Sequence, residues 1–402
     1  MEAMTENKAV PTLRFQEFNE NWCIEKFGDL GTFSGGGTPT TSNDNYWQGN
    51  IPWISSSDIS ENDIHNINVT RYINEITISE SATKVIPKNS VLLISRVGVG
   101  KLAINDIDIC TSQDFSNFIP NKCDSYFIGY FLIARKNILI NFSQGTSIKG
   151  FTTSDIKTLK LHIPTLHEQK KIATFLSSVD AKLQQLSKKK SLLVDYKKGL
   201  MQKIFSQELR FKDANGNNYP DWEEKKLGKC VRIKSGSSPS NFDFKPNGKY
   251  PFIKVEELNN CTKYQKVSRF YSDESKNLVL EGAIIFPKRG AAILNNKVRL
   301  NEVPIHMDSN MMALITNNCI LNNEFLYYNI FKEQLFKIAD TSTIPQINNK
   351  HIEPYRVNLP SLEEQHKIAA FLSAVDTKIE KVNSQIEKTK AFKKGLLQQM
   401  FV

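Results

Sequence analysis

PTLHEQKKIATFLSSVDAK (164–182) returns 196 positions later as PSLEEQHKIAAFLSAVDTK (360–378), with 13 of the 19 positions identical. The duplicated segment runs without a gap over 163–205 and again over 359–401. An internal repeat of this kind governs the fold, because it makes the chain two copies of one unit. Each copy opens with helix-start chemistry: Thr165 with Glu168, and Ser361 with Glu364, each pair just after a proline. A hydroxyl can satisfy a free backbone N–H while a glutamate three residues on reaches back, so both read as capping boxes.

Beyond the caps, apolar residues step by four and three. The first copy has Ile172, Leu176, Val179, Leu183 and Leu186, then Leu193, Leu200 and Ile204. The second has Ile368, Leu372, Val375, Ile379 and Val382, then Ile386, Leu396 and Met400. That alternation is the seam of a coiled coil. Lys190, Lys197, Thr389 and Lys393 interrupt it. Such breaks either fix register or mark exposed ends. Some 40 helical residues make a rod of about 60 Å, which needs a partner for its apolar stripe. Its own copy in antiparallel array is one partner, and would give an approximate internal two-fold; a second chain is the other. Lys-Lys-Gly-Leu occurs in both helices, at 197–200 and 393–396. A helical glycine costs about 1 kcal/mol against alanine. It therefore suggests close packing, on the other helix or on another subunit, or else loss of helical order.

The repetition continues outside the helices. Leu13-Arg-Phe15 recurs as Leu209-Arg-Phe211, and Trp22 with Lys26-Phe-Gly28 as Trp222 with Lys226-Leu-Gly228. Ser34-Gly-Gly-Gly-Thr-Pro39 is echoed by Lys234-Ser-Gly-Ser-Ser-Pro239, and Ile51-Pro-Trp-Ile54 by Tyr250-Pro-Phe-Ile253. Ile94-Ser-Arg-Val-Gly98 aligns with Phe286-Pro-Lys-Arg-Gly290. Between these echoes the halves differ freely. Short β-rich runs (90–95, 282–286) alternate with loops, and 125–141 and 323–338 read as helices, each followed by a loop (145–151, 340–348). The expected class is α+β: two similar mixed α/β domains separated by two long helices that pair as an intramolecular antiparallel coiled coil. The expected boundaries are 1–162 and 207–358 for the domains, 163–206 and 359–402 for the helices.

With 402 residues there is room for several cores, and a net charge of +10 favours a polyanionic partner. The six cysteines show no CxxC spacing and no clustered histidines, which speaks against a disulfide framework or structural zinc. The N-terminus lacks an apolar signal core and no apolar run would span a membrane, so a cytoplasmic location is expected.

No catalytic constellation stands out. Gly100-Lys101 is followed by leucine and preceded, at the first Walker position, by Ser95, so it fails as a phosphate loop. Pro220-Asp221 with Glu223-Glu-Lys225 is too tightly spaced for a metal-dependent nuclease. There is no Asn-Pro-Pro-aromatic tetrapeptide, no strand-borne GxGxxG, no HExxH and no GxSxG. No metal site is expected. Binding is what remains. Arg96, Lys101, Lys149, Lys254, Lys288 and Arg289 lie in loop contexts from which cationic side chains reach phosphates or base edges, and nearby glycines allow close approach. The bland reading of each is a solvated charge. An enzyme acting alone, or a coiled-coil scaffold that reads no DNA, are the competing functions.

These residues carry a family resemblance. The chain resembles the specificity subunits of type I restriction–modification systems over essentially its full length. The resembling motifs are Leu-Arg-Phe followed by Trp and Lys-Lys-Leu-Gly at the domain entry, Ile51-Pro-Trp-Ile54 with Asp58-Ile59, and Ile94-Ser-Arg-Val-Gly98. The most specific is Pro-x-Leu-x-Glu-Gln-x-Lys-Ile-Ala-x-Phe-Leu-Ser-x-Val-Asp, at 164–180 and 360–376. Pro251-Phe-Ile-Lys-Val-Glu-Glu-Leu258 departs from the first domain's run and leaves the second domain's loop boundaries open. The resemblance implies two target-recognition domains, each reading half of a split, asymmetric sequence in double-stranded DNA. It implies helices that act as a spacer and dock two methyltransferase subunits, with motor-nuclease subunits joining for restriction. S-adenosylmethionine, ATP and magnesium would sit on those partners, and this chain would itself bind no cofactor and catalyse nothing.

Overall fold

The computed structural model describes residues 10–61, 63–142, 150–342 and 344–402. Both duplicated segments are helical, Leu166–Phe205 and Leu362–Gln399. Contacts divide the chain into two units, Met1–Lys188 with Ser384–Val402, and Lys189–Asn383. The division cuts both helices. Each unit therefore holds a globular domain, the beginning of the long helix that follows it, and the end of the other long helix.

In the first unit a four-stranded antiparallel sheet has the order Gly31–Gly35, Phe115–Pro120, Val91–Ile94, Leu102–Ile104. Val91–Ile94 is buried on both faces. Val91 and Leu93 face Phe118, Phe127, Phe131 and the helical Ile172, Leu176 and Val179. Leu92 and Ile94 face the opposite way, into a core with Ile54, Ile86 and Ile109. That second core belongs to a smaller sheet, ordered Arg71–Ile73, Ile51–Ile54, Ile109–Thr111, Val85–Ile86, in which Ile51–Ile54 and Ile109–Thr111 run parallel. Period-two alternation along a doubly buried strand thus yields three layers: small sheet, large sheet, helices. The short ribbon Cys23–Lys26 with Lys160–Ile163 feeds the chain into the first long helix.

The second unit repeats the plan. Its large sheet is ordered Val231–Ser235, Met311–Thr316, Ile284–Pro287, Arg299–Asn301, Tyr264–Gln265. Ile284 and Phe286 face the helical Ile368, Ala369 and Leu372, while Ile285 faces Ile305 together with Ile253 and Met307 of a small sheet ordered Tyr271–Ser272, Tyr250–Ile253, His306–Met307. Glu223–Lys226 with Arg356–Leu359 feeds the second long helix.

The domain helices are shorter than the periodicity suggests. Ser125–Ala134 stops at Arg135 and restarts as Lys136–Phe142. Asn323–Glu333 ends at Gln334, whose φ of 64° is left-handed, before a 3-10 turn at Leu335–Ile338. Apolar spacing cannot report such a backbone reversal, because the side chains on either side of it still face the core.

The capping boxes are half present. Thr165 and Ser361 each accept the N–H three residues on, at 3.4 and 3.3 Å. The glutamates turn elsewhere. Glu168, 1% exposed, takes Arg14 Nε and Nη2 at 2.7 Å each and Trp22 Nε1 at 3.3 Å. Glu364, fully buried, takes Arg210 and Trp222 in the same way. A buried carboxylate is far better compensated by a guanidinium fork than by one backbone N–H. The pairing also explains the Leu-Arg-Phe motif: its arginine holds the glutamate, and its phenylalanine packs edge-on against Phe175 or Phe371. The adjacent glutamines clamp the helix starts. Gln169 donates to Pro164 O and accepts from Asp124 N, and Gln365 donates to Pro360 O and accepts from Asn322 N.

The seam shows why lysines interrupt it. In the first unit Lys393 Nζ lies 2.6 Å from Asp180; in the second Lys197 Nζ lies 2.5 Å from Asp376. Lys190 reaches Asn383 at 2.6 Å. A step from 190 to 197 on one helix is matched by a step from 383 back to 376 on the other, so the pairing is antiparallel. Each aspartate is also tied to its domain, Asp180 by Tyr130 OH at 2.8 Å and Asp376 by Tyr328 OH at 2.5 Å. Thr389 instead bonds its own helix at Gln385 O. Ile172, Leu176, Val179, Leu186, Ile368, Leu372, Val375 and Val382 are buried; Leu183 and Ile379 are half-buried. The glycines of the Lys-Lys-Gly-Leu motifs do not pack closely. Helix continues through both, and a Cβ on Gly199 or Gly395 would meet nothing within 4 Å.

Two predictions concern these ion pairs. Burial pushes the Asp180 carboxyl up, but bonds from His65, Lys393 and Tyr130 outweigh it and hold it below the usual range. A lowered folded pKa stabilises above the unfolded value, so this contribution is whole above about pH 4 and fades as pH falls below that. In denaturation curves, Lys393→Leu should cost about 3–5 kcal/mol by stranding a buried charge, and Asp180→Leu with Lys393→Leu should recover most of it and flatten the acid limb. Arg14→Ala should cost a similar amount, on the order of 3–5 kcal/mol, because Glu168 then keeps only the Trp22 N–H.

Candidate nucleic-acid interface

The doubly buried strand of each unit ends in an exposed tip. In the first unit residues 95–101 join Val91–Ile94 to Leu102–Ile104. The tip is held largely by backbone. Ser95 N and Arg96 N donate to Asp114 O at 2.8 and 3.3 Å, Ile94 N to Lys101 O at 3.1 Å, and Lys101 N to Gly98 O at 3.2 Å. Arg96 forms an antiparallel bridge with Gly150, and Phe151 N donates to Ser95 O at 3.1 Å. Gly98 and Gly100 adopt φ of +113° and +93°, which the turn requires. Val97 has φ +49°. For an L-residue that region costs roughly 1–2 kcal/mol.

In the second unit Lys288 N donates to Asn310 O and Ile347 N to Lys288 O, both at 2.8 Å. Arg289 bridges Gln346, and Gly290 N donates to Pro345 O at 2.8 Å. Strand register makes Val91–Ile94 equivalent to Ile284–Pro287, through their partners Phe115–Phe118 and Met311–Leu314. Lys288 therefore occupies the place of Ser95, Arg289 that of Arg96, and Gly290 that of Val97. The sequence alignment of Arg96 with Lys288 is displaced by one residue, because Ser-Arg-Val-Gly and Pro-Lys-Arg-Gly share a glycine that is not structurally equivalent.

The expected cations fall into place accordingly. Arg96 and Arg289 are exposed at equivalent positions, with Lys101 half-buried at the base of the first tip. Lys288 is half-buried and bonds Ser235 Oγ at 3.0 Å; burial, and then Arg289 beside it, lower its pKa. Lys254 is not at the tip. It follows the small-sheet strand Tyr250–Ile253 and lies 3.8 Å over the Phe270 ring. Lys149 lies outside the described residues.

A second loop meets each tip, and the sequence reading missed its side chains. Gly37 N donates to Thr111 O at 2.8 Å, and a Cβ on Gly36 would sit 2.2 Å from Ser112 O. The triple glycine thus presses backbone on backbone and brings exposed Thr38 to exposed Gln113, whose Oε1 accepts from the Thr38 hydroxyl. Gln113 is the residue before Asp114, the anchor of Arg96. Gly236 repeats the approach, 1.9 Å from Asp308 O for an added Cβ, and Ser237 N donates to Met307 O at 2.9 Å. The glycines were the available signal; they mark where backbones meet, not which side chains they deliver. The small sheets also correspond. Asp58 pairs with Arg71, which lies 4.6 Å over Trp53, and Glu257 pairs with Arg269 at 2.7 Å. The weaker motif of the second half keeps a carboxylate–arginine pair with one more methylene. No helix among the described residues is long and apolar enough to cross a membrane.

Comparison with known proteins agrees with this duplicated frame. The type I restriction enzyme MjaIX specificity subunit of Methanocaldococcus jannaschii is 28% identical, with 94% of this chain and 92% of the relative covered. The EcoR124I/EcoR124II specificity subunit of Escherichia coli is 27% identical over 42% of this chain and 43% of its own. The crystal structure of a type I restriction–modification S subunit from M. genitalium shares the fold, with a TM-score of 0.64 at 17% identity and coverage of 98% and 99%. The profile of the type I restriction modification DNA specificity domain matches twice, at residues 19–194 and 219–389, and the chain belongs to that family.

Proposed function

We propose that this chain is the DNA-specificity subunit of a type I restriction–modification complex, each unit reading one half of a bipartite, asymmetric target. The observation that carries the reading is a pair of like frames with unlike tips. Both units present an exposed arginine at the same place, in a like antiparallel bridge and after a residue held by matching backbone bonds. Around it they differ: Val97, Gln113 and Thr38 in one, Gly290, Ser309 and Ser238 in the other. Arginine bonds guanine O6 and N7 through its fork, and its neighbours select adjacent pairs. Lysines near the tips add phosphate contacts that position the domain without specifying sequence.

The long helices set the distance between half-sites and dock two methyltransferase subunits. Tyr196 and Phe392, 55% and 54% exposed, stand one turn before the open glycines 199 and 395 in their respective units. An exposed aromatic beside an uncovered glycine, present twice with lysines between, suits two copies of one partner. Methyl transfer to adenine with S-adenosylmethionine, and restriction with ATP and magnesium by motor subunits where present, belong to those partners. The complex acts on DNA in the cytoplasm.

Methylome sequencing of cells carrying the chain and its methyltransferase tests the assignment directly: a split asymmetric motif is expected, and unmethylated or randomly methylated DNA would refute it. Arg96→Ala should relax one position of one half-sequence, and Arg289→Ala one position of the other, each by about 1–3 kcal/mol of discrimination. Equal loss at both halves from either variant would contradict separate reading. Seven residues inserted into both helices, after Lys188 and after Asn383, keep both lysine–aspartate pairs in register. They should lengthen the unread spacer by about 3 base pairs, since seven helical residues span about 10 Å. An active variant with an unaltered spacer would sink the ruler role.

A further inference from the structure

We infer that Val97 is a base-reading residue of the first half-site, an apolar contact for the 5-methyl group of thymine. The inference rests on the proposed DNA-reading role. Its ground is a conflict between local preference and what the chain contains. Positive-φ residues other than glycine among the described residues are Asn89, Val97, Gln207, Asn277, Asn296 and Gln334. Asparagine tolerates the left-handed region; a β-branched residue there is an outlier. Val97 is the one β-branched member of that set, and the second unit places Gly290, φ +85°, at the equivalent position.

Packing does not explain the valine. Val99, two residues on, packs against the main core, while Val97 joins no buried cluster and is 57% exposed. A strained, solvent-facing apolar side chain gains nothing from the fold, so its role lies with something that approaches the tip. Strain of this kind gathers at binding sites. Its neighbour is Arg96, and the rim beside it carries Gln113 and Thr38. Arginine and glutamine read base edges in the major groove, where thymine adds the sole apolar group, its methyl. A small branched side chain, fixed by backbone bonds beside an arginine, suits that methyl. The second tip, with glycine, has no such contact.

The test uses the complex of the full chain with its methyltransferase subunits and duplexes bearing the motif defined by methylome sequencing. Each thymine of the first half-site is replaced in turn by deoxyuridine, which removes the methyl and nothing else. Wild type should bind about fourfold more weakly at one such position, the size expected for one buried methyl group. Val97→Gly should show the same loss on the thymine duplex and no further loss on deoxyuridine. Its melting temperature should be no lower than wild type, because glycine accepts the positive φ. Equal deoxyuridine sensitivity in wild type and Val97→Gly, or a first half-site without a sensitive thymine, overturns the inference while the split motif stands. Absence of any split motif fails the underlying reading instead, and this inference with it.

Discussion

A lysine facing an aspartate across two helices is the contact on which the rest depends. Lys393 with Asp180, and Lys197 with Asp376, sit in a seam that is otherwise largely apolar. Leucine at those places would pack as well in several registers; a buried charge has one acceptable partner position, since any slip strands both ions. The hydrophobic residues drive the helices together and the ion pairs decide which turn meets which. Tyr130 and Tyr328 bring the same decision into the domains, because each hydroxyl bonds the aspartate that the lysine holds. Helix register and domain attachment are thus fixed by one cluster in each unit.

From that cluster the order propagates outward through a strand buried on both faces. Leu93 and Phe286 pack toward the helices, Leu92 and Ile285 toward the small sheets. Such a strand cannot shift by one residue without exchanging its two sets of partners. The tip at its end is therefore carried on a strand held from both sides, which suits the proposed base reading. Arg14 with Glu168, and Arg210 with Glu364, tie each domain entry to the start of the long helix that follows it.

Much of this was legible in the sequence because duplication doubles every signal. Caps, seam and domain-entry motifs each appeared twice at a fixed interval, and the seam lysines were visible as anomalies. Their partners were not: Asp180 and Asp376 lie on the helix flank and look like ordinary solvated charges. The glutamates of the supposed capping boxes misled for a similar reason, since the arginines that claim them lie 154 residues away. The proposed recognition residues were the hardest. Spacing pointed to Arg96 and Arg289 but mispaired them by one position, and it gave no hint of Gln113, which comes to the tip through the bonds of the adjacent Asp114 O to Ser95 N and Arg96 N. Side chains that serve no packing role leave no periodicity to read.

The tip's attachment through main-chain groups has a consequence for how such a chain changes over time. Asp114 O, Lys101 O and Gly98 O hold the turn without calling on the side chains at 96 or 113. The side chains of Arg96 and Gln113 are exposed and belong to neither core of the first unit. On the proposed reading, target preference can drift while the scaffold remains under full constraint. One half of the recognised word can be rewritten without disturbing the other, and the lineage explores new addresses while the cores stay as they are.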